Sequence, residues 1–313
     1  MEELSLTGRK NWLWGVNGHN RNYPAYPESR LEDQIRLAAG LGVGLYRINC
    51  TPQSIGDFLY LDRVVELCEA YKLKVFLVCF DHGLWNFAAP AELQDAARRI
   101  AARYRGRIAM YQLSNEQDIP ALDLDRLKDP LGDVPEHYSP RKYAAIRDCL
   151  RFISAGIREG DPDAKTVINI SWRHTGLLTM LAADGLEWDI SGLDWYYDLA
   201  DHGGNNLADT LEKLCALPAP EVIVAEANAW EGDYRFTEQE QAEYIRRAME
   251  YYYRYPNDKL IGFVLYELLD EPDKEGGEGH FGLVVNDPHG CTGRVKPAYR
   301  MVASLLGGKE ESK

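Results

Sequence analysis

The sequence predicts an α/β protein, a single (β/α)8 barrel of the TIM type over residues 1–313. Three observations point there. Eight short apolar runs alternate with stretches of helical spacing, the pattern of parallel strands joined by helices. The length of 313 residues, 45% of them hydrophobic, suits one large barrel, a fold that takes roughly 250 residues or more. No internal repeat and no linker-like segment divides the chain.

Taken in order, Trp12 to Asn17 is the first strand, followed by a loop rich in Asn, Tyr and Pro. Glu28 to Leu41 is a helix with Leu31, Ile35 and Ala38 on one face, and Leu45 to Asn49 is the second strand. Phe58 to Tyr71 is helical through Leu61, Val64, Val65 and Cys68. Lys74 to Phe80 is almost wholly apolar, as a strand covered on both faces should be. Pro90 opens a helix to Arg103. The fourth strand, Ile108 to Leu113, runs into Asn115-Glu116, and an acidic, Pro-containing insertion follows from Gln117 to Tyr138. A connection of that length over a barrel mouth is usually functional or lid-like. A helix from Pro140 leads to Thr166–Ser171, and a short helix leads on to Asp189–Asp194, the sixth strand. Asn206 to Leu217 is a helix, Val222 to Ala225 the seventh strand, and Thr237-Glu-Gln-Glu240 a capping box for the helix to Tyr253. Ile261 to Tyr266 is the eighth strand and Pro297 to Leu306 a closing helix.

A net charge of −14 opposes binding to nucleic acid or to anionic membrane surfaces. The first residues, Met-Glu-Glu-Leu-Ser-Leu-Thr-Gly, have neither a basic start nor an apolar core, which argues against a signal peptide and for a cytoplasmic protein. No apolar run approaches the roughly 20 residues of a membrane span. The six cysteines form no CxxC pair and read as buried free thiols.

Two carboxylates stand at the ends of core strands. Glu116 follows the fourth strand, and Glu226 ends the run Glu221-Val-Ile-Val-Ala-Glu226 with Trp230 just behind it. Carboxyl groups facing one cleft are what glycosidic-bond cleavage requires, one as acid/base and one as nucleophile. On Asn115-Glu116 and Glu226 the chain resembles the clan-A glycoside hydrolases, retaining (β/α)8 enzymes that include families 5 and 39. The resemblance implies that Glu116 is the acid/base, that Asn115 binds the sugar 2-hydroxyl, and that Glu226 is the nucleophile. It also implies that Arg47 hydrogen-bonds the nucleophile, that Tyr196 or its neighbour Tyr197 stands near it, with Tyr196 preferred from spacing, and that His82, matching the histidine often found after strand three, is a substrate-binding residue, a satisfied core histidine being the alternative. Where the clan often has a tryptophan ending strand eight, this chain has Tyr266, and where it often has His-x-Tyr on strand six, this chain has Asp194-Trp195-Tyr196. Asp194 is then an extra carboxylate in the cleft, there either to bind sugar hydroxyls or to perturb the acid/base pair, and Trp195 and Trp230 are candidate sugar platforms. No cofactor and no metal is implied, and the expected partner is a carbohydrate substrate.

The competing readings are weaker. A Schiff-base lysine would stand at a strand's C-terminal end, whereas Lys74 and Lys165 begin strands. The Gly276-Gly-Glu-Gly279 loop has acidic neighbours that would repel phosphate. His82, His174 and His202 lack metal-ligand spacing. A barrel that binds carbohydrate without turning it over, and an α-L-arabinofuranosidase of the same clan, stay open.

Overall fold

The computed structural model describes residue 6 and residues 8–80, 83–86, 89–200, 206–286 and 292–308. Eight parallel strands close into a barrel in sequence order: β1 Leu13–Gly18, β2 Leu45–Asn49, β3 Lys74–Val78, β4 Ile108–Gln112, β5 Thr166–Ser171, β6 Ile190–Trp195, β7 Glu221–Ala227 and β8 Leu260–Leu265. β8 returns to β1 in parallel register, Leu13 opposite Gly262 and Val16 opposite Leu265. The helices between them are α1 Leu31–Gly40, α2 Ile55–Ala70, α3 Pro90–Arg103, α4 Asp118–Ala121, α5 Pro140–Gly160, α6 Thr175–Ala183, α7 Leu207–Ala216 and α8 Glu238–Tyr253, with α9 Pro297–Leu306 at the end. The predicted architecture is therefore observed, with most element ends within two or three residues of the sequence reading.

Local chemistry sets several of these ends. Capping boxes open α2, where Ser54 Oγ accepts from the Asp57 N–H, and α8, where Thr237 Oγ1 accepts from the Glu240 N–H. Proline begins α3, α5 and α9, where its missing N–H costs nothing. No helix among the described residues is long and apolar enough to cross a membrane. A short antiparallel ribbon of β9 Val284–Asn286 and β10 Thr292–Val295 was not expected from the sequence.

The interior changes character along the barrel axis. Its lower layers are Leu45, Phe76, Met110, Val167, Ile190, Ile223, Ala225 and Val264, a buried apolar plug. Two residues further along the strands the inward positions turn polar, with Arg47 above Leu45 and Gln112 above Met110, because side chains on a strand repeat every second residue. The outward positions, such as Tyr46, Ile48 and Tyr111, join the core shared with the helices. The register breaks between β6 and β7, where Leu193 opposes Val224 but Asp194 opposes Glu226. The extra residue makes a bulge, so that Ala225 belongs to the interior plug while its neighbour Glu226 lines the cavity above.

The chain's last segment is tied to the loops above the barrel by one buried cation. Lys296, fully buried, places its Nζ 2.7 Å from Asp270 Oδ1 and 3.0 Å from Asp233 Oδ2, one on the loop after β8 and the other on the loop after β7. Removing one member of a buried ion pair leaves the rest uncompensated. Lys296→Met should cost about 3–5 kcal/mol of unfolding free energy at neutral pH, measured by urea denaturation. Burial pushes the Asp270 carboxyl up to about 6, so the deficit should shrink as the pH is lowered below that value.

Candidate active site

The polar end of the barrel opens into a cavity of about 560 Å³ walled by residues from the strand ends and the loops that follow them. Arg47 is its structural centre. From β2 its guanidinium Nη1 donates to Asn17 Oδ1 of β1 at 2.7 Å and meets Glu226 Oε1 of β7 at 2.6 Å. Nη2 donates to Gln112 Oε1 and to Asn115 Oδ1, both at 2.9 Å, and Nε reaches Gln112 Oε1 at 3.1 Å. The group is only 3% exposed and lies over the Phe76 ring. The second Glu226 oxygen, Oε2, accepts a 2.6 Å hydrogen bond from the Tyr196 hydroxyl. Each oxygen of that carboxyl thus has its own donor.

Glu116 lines the same cavity. Its backbone sits in the left-handed region, φ +43°, which is uncommon for a residue with a side chain. Asn169 of β5 holds it there, with Oδ1 accepting the Glu116 N–H at 3.1 Å. The Asn169 Nδ2 donates to Asn115 Oδ1 at 3.0 Å and to Asp194 Oδ2 at 2.5 Å. Burial first, and then the charges of Glu226 and Asp118, push the Glu116 carboxyl up to about 8, so it holds a proton at neutral pH. Burial and the charges of Glu226 and Glu116 likewise raise Asp194 well above the ordinary carboxylate range.

The structure brings Glu116, Glu226, Asn115, Arg47, Tyr196, Tyr266 and Trp230 to one cavity. Trp230, 43% exposed, forms the rim and lies against Tyr197, with ring centroids 4.8 Å apart. Two sequence expectations need correction. Trp195 is completely buried; its indole N–H points to the Tyr197 and Asp198 carbonyls, and its ring is absent from the cavity wall. Strand alternation is the reason: Asp194 and Tyr196 face inward, so the residue between them faces out. Asp194 is inward but lies beneath the cavity floor, also without exposure, and it holds Asn169 instead of a ligand. His82 lies outside the described residues.

Sequence reasoning missed Asn17, Gln112 and Asn169, the polar groups that arrange the carboxylates. The signal was present: each is a polar residue at an inward position of an otherwise apolar strand. It also missed His19, Lys274 and the 276–278 stretch, which wall the cavity from the loops after β1 and β8. His19 Nε2 lies 2.9 Å from Glu267 Oε2 and 3.9 Å from Glu271 Oε2. This is the one group among the described residues whose ligand atoms converge closely enough for a metal ion. Lys274 already pairs with Glu271 and supplies a cationic charge there. Tyr26 donates to Glu267 Oε2 at 3.0 Å, and burial pushes Glu267 up to about 8, so the cluster is compensated by its own protons and lysine.

No protein-family model matches the sequence, and no curated protein does. Solved structures do match in shape. A family 1 β-glucosidase from Thermotoga maritima aligns over 97% of this chain and 99% of its own, with TM-score 0.70 and 14% identity. The virulence factor SghA from Agrobacterium tumefaciens aligns over 95% and 97%, with TM-score 0.70 and 16% identity. SghA has also been solved with its substrate analog salicin, and that structure aligns with TM-score 0.71 at 16% identity. The fold is a TIM barrel. At such identities the likeness is one of fold.

The raised proton affinity of Glu116 has a thermodynamic signature. A carboxyl whose folded value lies above its ordinary 4.5 binds its proton more tightly in the folded state. Its contribution to stability is complete below about 4.5 and is lost as pH rises through about 8. Glu116→Gln, which cannot ionise, should therefore gain in Tm relative to wild type as pH is raised from 5 to 8.5. A Tm difference that stays constant over that range would contradict the assignment.

Proposed function

We propose that the protein is a retaining glycoside hydrolase that cleaves β-glycosidic bonds of small glycosides or oligosaccharides by double displacement. The observation behind this reading is the unequal treatment of two carboxyl groups in one cavity. Both Glu226 oxygens face donors, Arg47 and Tyr196, the environment a carboxylate accepts. At Glu116 burial and neighbouring negative charge outweigh the Ser171 hydrogen bond and the Arg47 charge, so it keeps a proton. A carboxyl that keeps its proton beside one held by two donors is the arrangement an acid/base and nucleophile pair requires.

In the first step Glu226 attacks the anomeric carbon while Glu116 gives its proton to the departing oxygen. The C–O bond to the leaving group breaks as the glycosyl ester forms. Ester formation removes the Glu226 charge, the largest charge contribution holding the proton on Glu116, so Glu116 becomes acidic enough to act next as base. It then takes a proton from water as that water attacks the same carbon, which releases the sugar with retained configuration and restores both groups.

The β-linkage follows the resemblance and agrees with the names of the fold neighbours, β-glucosidases among them. A cavity of about 560 Å³ with Ile119 and Trp230 at its border suits a compact glycoside better than a long polymer. Asn115, Arg47, Asn17 and His19 offer polar contacts on the cavity wall, and Tyr266 an aromatic face. A barrel that only binds sugar would have no use for the unequal carboxyl pair.

Wild type should hydrolyse aryl β-glycosides, and Glu226→Ala should not. Glu116→Gln should lose about 10²–10⁴-fold with poor leaving groups and less with activated ones, which need no proton. The alkaline limb of the wild-type pH profile should fall near pH 8. Equal turnover by the three proteins would remove the hydrolase reading. A 2-fluoro glycoside should add its mass to the peptide containing Glu226, and labelling of another peptide would move the nucleophile elsewhere.

A further inference from the structure

Behind Glu116 lies a second buried acid that the reaction above does not use. Asp118, at the start of α4, has no exposure, yet its Oδ2 accepts from the Ser171 N–H at 3.1 Å and lies 2.6 Å from His174 Nδ1. Its other oxygen, Oδ1, has no hydrogen-bond partner among the described residues. Ser171 ends β5, lines the cavity, and hydrogen-bonds Glu116 through its side chain. The links run from His174 to Asp118, then to the Ser171 backbone, and from the Ser171 hydroxyl to the acid/base.

His174 is itself firmly seated. Its backbone carbonyl accepts from the Tyr138 hydroxyl at 2.9 Å, and the Trp172 ring meets it edge-on at 5.9 Å. Gly132 packs so closely that a side-chain carbon there would lie 2.2 Å from the His174 ring. The long insertion after β4 thus closes over the imidazole. The ionisable groups around the pair are Glu116 and, across the cavity, Glu226 and Arg47. On the insertion side they are Tyr138 and the Asp133 carboxylate, which is bound by Arg173 at 3.0 Å and approached by His137 at 3.4 Å.

We propose that Asp118 and His174 form a positioning pair for the proposed acid/base: Asp118 fixes Ser171 against Glu116 and lends it negative charge, and His174 limits how much of that charge Glu116 feels. The Asp118 charge is one of the causes that hold the proton on Glu116, whereas the Ser171 hydrogen bond works the other way; asparagine at 118 keeps an acceptor for the Ser171 N–H and so removes the charge alone. An Nδ1–H donated into the Asp118 carboxylate draws charge away from Glu116. The two residues therefore act on Glu116 with opposite sign, which a purely structural pair would not do.

The inference rests on the hydrolase reading for its consequence but not for its test. With protein carrying 13C-labelled glutamate carboxyls, the Glu116 resonance is assigned by its loss in Glu116→Gln and titrated in each variant, without substrate. Asp118→Asn should lower the Glu116 midpoint by about half a pH unit to one unit, and His174→Phe should raise it by a similar amount. His174→Asn, which keeps a donor, should lie closer to wild type than His174→Phe. The alkaline limb of kcat/KM on an aryl β-glycoside should move in the same directions. Midpoints that shift in the same sense in Asp118→Asn and His174→Phe, or that do not shift, would overturn the pair. Should His174→Phe fail to fold, an unmoved or raised midpoint in Asp118→Asn overturns it alone. A midpoint lowered in Asp118→Asn and raised in His174→Phe, in a protein that turns over no glycoside, would keep the pair and remove the hydrolase reading.

Discussion

A guanidinium buried at the axis of the barrel is the constraint on which the upper half of the molecule depends. Arg47 leaves β2 and is bonded to β1 through Asn17, to β4 through Gln112, to the loop after β4 through Asn115, and to β7 through Glu226. A buried cation is costly unless its donors are matched, and here they are spent on four residues from four parts of the chain. The match works only if the barrel is closed in the observed register. The fold and the site are thus specified together, since the charge that orients Glu226 also requires Gln112, Asn17 and Asn115 in place.

Around this centre the polar groups form one continuous arrangement. Asn169 holds the Glu116 backbone, touches Asn115, and rests on Asp194. Glu116, Glu226 and Asp194 crowd a space that a single arginine serves, and burial raises the proton affinity of Glu116 and Asp194. The apolar plug below keeps water out from underneath, which makes each of these interactions stronger than it would be in solvent.

The barrel was legible in the sequence because it follows from repeated periodicity: strands buried on both faces read as short apolar runs, and the helices carry their own stripes and caps. The two carboxylates were legible because an acid at the end of an apolar strand is conspicuous. Details that depend on one residue of phase were not. Asp194, Trp195 and Tyr196 were read together as cleft residues, although a strand can turn only alternate ones inward. The bulge at Ala225 and Glu226 does the reverse, giving two successive inward residues, and it depends on how β6 pairs with β7, which no local pattern encodes. His19 and Lys274 reach the cavity from loops whose paths are set by tertiary packing, so their types gave no warning of their place.

The left-handed backbone at Glu116 has an evolutionary corollary. A side-chain-bearing residue in that conformation costs roughly 1–2 kcal/mol relative to glycine, and the nearby burial of a carboxyl adds to it. Glycine at position 116 would therefore relieve both burdens at once and give a sturdier barrel. A lineage with no use for the Glu116 carboxyl would be expected to drift first at this residue, while Arg47 and its partners, which hold the barrel itself, stayed in place.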